Sequence, residues 1–174
     1  KTGRTALTRP IYETIRHTWK QWLNTKIIDE FNRVEAIKGQ NRKGRGGLTA
    51  VAARRTAVHN MLAACPANQW IDIDEFFRYC EASGAKLNVT HDPWNLYIAH
   101  AEYGSLGYEG FHNWSMIQGR YVMALLWEYA ATLGLLDIAY VPPEDARDDY
   151  RENWGVDDLY YLSRYDGLKF FRIT

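Results

Sequence analysis

Six cations in one short region have the residue types and the spacing to contact phosphate groups. They come from a glycine-rich stretch and from the helix predicted after it: Lys38, Arg42, Lys43, Arg45, Arg54 and Arg55. The stretch 38–47 holds four glycines and four cations and nothing large to bury, which predicts a flexible basic loop. Arg54 and Arg55 lie near the start of the helix, where cations oppose the helix dipole. We therefore expect an anion to compensate them: nucleic-acid phosphate, the acidic segment of this chain, or an acidic partner.

The charges of the chain are distributed unevenly, although its formal net charge is zero. Residues 1–58 carry 13 Lys and Arg against 4 Asp and Glu, a net charge of +9. Residues 59–174 carry 8 against 17, a net charge of −9. This asymmetry indicates either that the basic part binds an external polyanion, or that the two parts lie against each other within one molecule or between neighbouring chains.

No residue pattern in the chain predicts catalysis, a bound metal or a cofactor. The five histidines have no HxxxH or HExxH spacing: His17, His59, His91, His100 and His112. The acidic stretch 144–158 lacks the Asp/Asn alternation and central glycine of a calcium loop, and 38–47 lacks the GK[ST] ending of a phosphate-binding loop. Cys65 and Cys80 have no ligand spacing, so we expect free thiols buried in a core.

Periodic apolar residues predict an amphipathic helix from Pro10 to about Ile37. The stripe repeats in steps of three and four: Ile11, Ile15, Trp19, Leu23, Ile27, Phe31 and Val34. Thr8 is expected to cap this helix, and Asn24-Thr25 could divide it into two. The remaining surface is cationic: Arg16, Lys20, Lys26 and Arg33.

Capping residues predict two helices after the basic loop. Thr49 is expected to cap a helix that runs through Ala64, and Asp72 to cap a second helix over 73–83. Gly84 follows the second helix, where a C-terminal glycine belongs. The stretch QWIDI between the two helices predicts a short strand, and KLNVT after the second helix is also strand-like.

The C-terminal part predicts a third helix and a pair of strands. The helix is expected over 114–133, and strands near 136–141 and 168–173 are expected to pair antiparallel around a long acidic stretch. The order helix, strand, helix, helix, strand, long turn, strand over residues 49–174 resembles the winged helix-turn-helix superfamily. The resemblance implies a winged-helix-like domain whose wing is acidic.

The expected fold is therefore mainly α with a small antiparallel sheet. It comprises an N-terminal amphipathic basic helix (1–37), a Gly/Arg-rich loop (38–48) and the winged-helix-like domain (49–174). In that superfamily the third helix often lies in the major groove of DNA with polar side chains towards the bases.

The third helix of this chain is poorly suited to reading DNA. From Tyr121 to Leu136, Glu128 is the only strongly polar residue, so we expect burial on two sides, with the N-terminal helix or a partner chain covering one of them. The wing would repel phosphate through its carboxylates: Glu144, Asp145, Asp148, Asp149, Glu152, Asp157 and Asp158.

Together these features predict a non-catalytic, nucleic-acid-associated module that contacts phosphate through the basic arm and the cationic side of the N-terminal helix. The alternative is a protein-interaction or scaffold module in a multi-subunit assembly, with the apolar third helix and the acidic wing as contact surfaces. No membrane partner is expected, because the longest apolar run is shorter than the roughly 20 residues that cross a bilayer. We expect a cytoplasmic location, and the ends of the chain suggest a fragment of a longer polypeptide.

Overall fold

Helices and short antiparallel strands alternate along this chain, which makes it a mixed α/β protein with small sheets. The structure is a computed structural model that describes residues 2–40, 47–84, 86–98, 105–107, 114–153 and 155–174. Its α-helices are α1 (Thr2–Thr8), α2 (Ile11–Asn24), α3 (Val51–Ala63), α4 (Ile73–Ala82) and α5 (Arg120–Ala124). Its strands are β1 (Ile37–Lys38), β2 (Trp70–Asp72), β3 (Tyr97–Ile98), β4 (Leu136–Tyr140) and β5 (Leu168–Ile173).

The N-terminal helix is shorter than its apolar periodicity predicts. It ends at Asn24, the predicted break, because Thr25 has an extended backbone, and a single 3-10 turn (Glu30–Arg33) follows. Ile27, predicted to lie in the buried stripe, is 92% exposed. The prediction of Thr8 as the cap is also wrong, since it ends α1 and Pro10 occupies the capping position of α2.

The caps of α3 and α4 differ in how well the sequence predicts them. The side chain of Asp72 accepts hydrogen bonds from the backbone N–H groups of Asp74 and Glu75 at 2.9 and 3.1 Å, so this predicted cap is confirmed. Thr49 does not cap α3, because Ala50 holds that position and the Thr49 hydroxyl instead donates to the Val89 carbonyl.

The third helix is one continuous helical stretch whose central part is buried. Two wider π-helical segments, Ser115–Gly119 and Leu125–Ala131, flank α5 directly, and we call the whole of 115–131 the central helix. Every side chain from Tyr121 to Leu126 is buried. The predicted burial on two sides is therefore confirmed.

The central helix is covered by other parts of its own chain. A Cβ at Gly119 would lie 2.8 Å from the Phe77 ring of α4, so the two helices are in close contact there. On another side the Tyr129 ring stacks on Trp22 of α2, with 5.5 Å between centroids. Of the two coverings expected from the sequence, the N-terminal helix is therefore observed, and the stretch from Tyr121 to Leu126 is buried within its own chain.

The C-terminal strands form a three-stranded antiparallel sheet in the order β2, β5, β4. The predicted pairing of the last two strands is confirmed by the register of β4 and β5, in which Ile138 lies opposite Phe171. β2 completes the sheet on the other side of β5. The strand expected at KLNVT is reduced to one bridge between Leu48 and Thr90.

Buried side chains from both sides of the basic loop belong to one hydrophobic cluster. Phe31, Val34 and Ile37 precede the loop and pack with residues of α3, α4, the central helix and the sheet. The division of the chain at 38–48 stays a prediction, but the segments on its two sides share a core.

Candidate nucleic-acid interface

The six cations predicted to contact phosphate fall into three groups, which are exposed, outside the described residues, or buried. Lys38 is exposed at the end of β1. Arg42, Lys43 and Arg45 lie outside the described residues. Arg54 and Arg55 are on α3, and both side chains are buried, at 1% and 0% exposure. The structure therefore separates the two helix arginines from the surface cations.

Arg55 is held by a dense set of acceptors inside the protein. Its Nη2 lies 2.5 Å from Oε1 of Glu30, which is also fully buried. The same guanidinium donates to the carbonyls of Trp22 and, at 2.9 and 2.7 Å, of Thr25 and Ile28. Trp22 lies in the last turn of α2, and Thr25 and Ile28 follow the end of that helix. Arg55 thus terminates α2 and joins it to α3.

Arg54 is bound in the same region of the core. Its Nη2 lies 2.6 Å from Oδ2 of Asp29, and its guanidinium lies over the Tyr121 ring at 5.0 Å from the centroid. The Tyr121 hydroxyl donates to Oε2 of Glu30 at 3.2 Å. Burial raises the pKa of Tyr121, and the charge of Glu30 raises it further.

The anion that the sequence required beside these two cations is therefore the acid pair Asp29 and Glu30. A buried guanidinium with an internal carboxylate partner does not face a phosphate, and exposing it would leave a buried carboxylate unpaired. In this structure Arg54 and Arg55 each form a buried ion pair that connects parts of the core, and neither belongs to a phosphate-binding surface. Sequence reasoning missed the acid pair because it lies 25 residues away.

Among the described residues, the exposed cations without carboxylate partners are concentrated in the segment 2–28, which includes α1 and α2. Residues 2–28 contain one acid, Glu13, and five cations: Arg4, Arg9, Arg16, Lys20 and Lys26. All five are exposed, and none forms an ion pair within the described part of the chain. Arg16 and Lys20 are four residues apart on α2 and so share one side of the helix. We call these five side chains the basic helix surface.

Large apolar side chains are exposed beside the basic helix surface. The stripe of α2 is covered at its C-terminal half, where Trp19 and Trp22 are buried. At its N-terminal end Ile11 is 78% exposed, and Leu7 of α1 is 87% exposed. Tyr12 is 59% exposed on the same part of the molecule. The core of this chain therefore covers only half of the amphipathic stripe.

The loop between β4 and β5 (142–167), which we call the acidic loop, is fixed to the central helix by a buried arginine. Arg120 donates through Nε to Oδ1 of Asp166 at 3.0 Å and through Nη2 to Oδ1 of Asp149 at 2.7 Å. Asp166 also accepts hydrogen bonds from the backbone N–H groups of Leu162 and Ser163. Burial would raise the pKa of Asp149, but the hydrogen bond and charge of Arg120 lower it on balance.

The outer side of the acidic loop carries carboxylates that would repel phosphate. Five of them are exposed and form no ion pair with any described residue: Glu144, Asp148, Glu152, Asp157 and Asp158. Arg151 pairs with Asp145, Arg147 with Asp74 of α4 and Arg164 with Glu35, so all three cations of the loop are already neutralised. The surface near the loop is therefore negative, whereas the N-terminal surface is positive.

The described residues show no arrangement suited to metal-assisted catalysis. No group of three His, Cys, Asp or Glu within them could hold a metal ion. Cys80 is buried and Cys65 half-buried, both as free thiols, and burial raises the pKa of each. The Glu128 carboxylate, the one acid of the central helix, accepts from the Tyr165 hydroxyl and pairs with Arg33 at 3.1 Å. These groups link the central helix to its neighbours.

No protein-family model, curated protein or solved structure matches this chain. Among the described residues, no helix has both the length and the apolarity to cross a membrane.

Proposed function

We propose that this chain is a non-catalytic, nucleic-acid-associated module of the winged-helix type that contacts phosphate groups through its N-terminal basic region. The order α3, β2, α4, central helix, β4 and β5 and the antiparallel strand order β2, β5, β4 support the winged-helix assignment. β3 is an insertion before the central helix and pairs with β1, outside this sheet. The observation that carries the proposed function is the concentration, in residues 2–28, of five exposed cations that form no ion pair with any described residue. Exposed cations without carboxylate partners are the groups that phosphate contacts require.

The proposed phosphate contacts are the basic helix surface together with Lys38, Arg42, Lys43 and Arg45 of the loop. The buried contacts of Arg55 hold α2 on α3, so the cations of α2 have a defined position. Because phosphates carry no base identity, binding of this kind has little sequence preference and depends steeply on salt. The central helix takes no part in base reading, since its middle is buried.

The experiment that tests the proposal compares three variants with equal changes in net charge. One replaces Arg9, Arg16 and Lys20 with Ala, and one replaces Arg42, Lys43 and Arg45 with Ala. The control replaces three other exposed cations, Arg78, Lys86 and Arg164, with Ala.

Binding to mixed-sequence single- and double-stranded DNA and RNA is measured by fluorescence anisotropy at low salt. The first two variants are expected to bind all these oligonucleotides more weakly than wild type by similar factors, and the control is expected to bind nearly as wild type does. Equal losses in all three variants would mean that only net charge matters, and no binding by wild type would remove the proposal.

One observation favours a second candidate, a protein-interaction module. Leu7 and Ile11 expose large apolar side chains that phosphate contacts do not require, and such patches commonly mark protein interfaces. This candidate uses the N-terminal helices, whereas the alternative expected from the sequence used the third helix, which is buried in its middle, and the acidic wing.

A further inference from the structure

We propose that the N-terminal helices of one copy of this chain dock on the acidic loop of a second copy, head to tail. The inference concerns a protein partner and does not rest on nucleic-acid binding, although both interactions use the same cations. It rests on two exposed surfaces that are complementary in charge and that both contain large apolar groups.

The first surface is the uncovered half of the amphipathic stripe of α2. Ile11 and Ile15 continue the line of Trp19, and the exposure of Ile11 leaves this line open to solvent. An amphipathic helix buries its apolar stripe against another surface, and here the chain supplies that surface only for the C-terminal half. Arg16 and Lys20 flank the stripe, so a complementary partner has apolar groups surrounded by carboxylates.

The second surface lies on the acidic loop and combines apolar groups with carboxylates. Tyr160 is 69% and Tyr161 38% exposed, and both line a groove of about 600 Å³ together with Leu159. Two arginines also line this groove, and each is paired with a carboxylate, Arg33 with Glu128 and Arg164 with Glu35. The neighbouring Asp157 and Asp158 are exposed and have no ion-pair partner in the part of the chain that the structure describes. The acidic loop therefore offers tyrosine rings and free carboxylates together.

Both surfaces are fixed to the same core at separate places, so we infer that their pairing requires two molecules. Arg55 holds α2 in place, and Arg120 holds the acidic loop through Asp149 and Asp166. No ion pair between described residues joins the basic helix surface to the acidic loop.

A second copy supplies the missing complement because every copy carries both surfaces. The formal net charge of zero means that successive copies can associate without accumulating charge. A contact between two different surfaces of identical chains is heterologous, and it produces a ring or an open chain of molecules.

The test is sedimentation velocity of the purified, nucleic-acid-free protein over a range of concentrations. Wild type is expected to form species larger than a dimer that grow with concentration and dissociate between about 50 and 200 mM salt, because ion pairs between exposed surfaces are screened. The basic-side variant, Arg9→Gln with Arg16→Gln, and the acidic-side variant, Asp157→Asn with Asp158→Asn, are each expected to remain monomeric. All four positions are exposed, so circular dichroism should show unchanged folding.

Mixing the two variants provides the decisive comparison. The acidic-side variant retains its basic helices and the basic-side variant retains its acidic loop, so an equimolar mixture has one functional pair of surfaces. It is expected to form a 1:1 dimer that grows no further. A monomeric wild type, variants that associate as wild type does, or a mixture that stays monomeric would each overturn the proposal.

Nucleic-acid binding by the acidic-side variant separates this inference from the proposed function. That variant retains every cation of the basic helix surface, so it should bind oligonucleotides at least as well as wild type. If it binds normally while wild type shows no self-association, the head-to-tail contact is refuted and the proposed function stands. If self-association follows the expected pattern and no oligonucleotide binds, the proposed function fails alone.

Discussion

Replacing Arg55 with methionine removes the group that connects α2 to α3. Methionine preserves much of the side-chain volume but leaves the Glu30 carboxylate buried without its cation. It also leaves the carbonyls of Trp22, Thr25 and Ile28 without this donor. Removing one partner of a buried ion pair costs about 3–5 kcal/mol, because the remaining charge is uncompensated.

This loss is large compared with the whole stability of a domain, which is about 5–15 kcal/mol. We therefore expect Arg55→Met to lower the free energy of unfolding by about 3–5 kcal/mol in urea titrations followed by circular dichroism. Arg55→Lys retains the positive charge but not the planar guanidinium, so its free energy of unfolding should fall by less than that of Arg55→Met. The matched control is Arg78→Met, which breaks the exposed Arg78–Glu75 pair and should have no resolvable effect.

Two results would refute this account of Arg55. One is a decrease in the free energy of unfolding of Arg55→Met that is no greater than the decrease in the Arg78→Met control. The other is a variant with wild-type stability that has lost oligonucleotide binding, which would place Arg55 on the binding surface after all.

Three further predictions concern the acidic loop and the core. Asp149 has a lowered pKa because Arg120 outweighs burial, so its contribution is complete above about pH 4 and disappears as pH falls through the lowered pKa. Asp149→Asn should therefore lower the urea midpoint at neutral pH and flatten its decline in acid. Gly167→Ala places a Cβ 1.9 Å from the Val141 carbonyl oxygen, and the strain should cost about 1–3 kcal/mol in thermal unfolding. Burial raises the pKa of Cys80 to about 12, so its thiol should resist disulfide reagents in the native protein near pH 8.

Each of these predictions has its own control. For Asp149, the control is Glu81→Gln, which changes an exposed carboxylate outside the acidic loop that forms no ion pair with a described residue, and it should preserve the wild-type pH dependence. For Gly167, the control is Gly3→Ala, which meets nothing within 4 Å and should not lower the melting temperature. For Cys80, the half-buried Cys65 should react faster, and equal native rates would contradict the buried position of Cys80.

The sequence predicted correctly those features that depend mainly on the residue types of one short segment. The cap at Asp72 and the glycine after α4 depend on neighbours, and Gly84 indeed has a positive φ of 66°. The pairing of β4 with β5 follows from their branched and aromatic content. The burial of the central helix was predictable because a helix apolar on all sides has nowhere to lie except in a core.

The candidate site was less predictable, because charge pattern does not determine burial. The dipole argument indicated correctly that Arg54 and Arg55 require an anion, but the identity of that anion depends on how α2 packs against α3. The same tertiary contact explains why the N-terminal helix is shorter than predicted, since Arg55 binds the carbonyls of Trp22 and Thr25, where α2 ends. Adjacent acids at 29–30 matching adjacent arginines at 54–55 were the only signal in the sequence.

The dependence of oligonucleotide affinity on salt tests the proposed phosphate contacts most directly. Affinity of the wild type for one mixed-sequence duplex, measured from about 50 to 200 mM salt, should fall with a logarithmic slope of about −0.9 for each phosphate contacted. The variant that lacks Arg9, Arg16 and Lys20 should have a slope shallower by about 2 to 3, with the same slope change on an unrelated duplex sequence. A wild-type slope near zero, or a variant slope equal to that of wild type, would contradict the account.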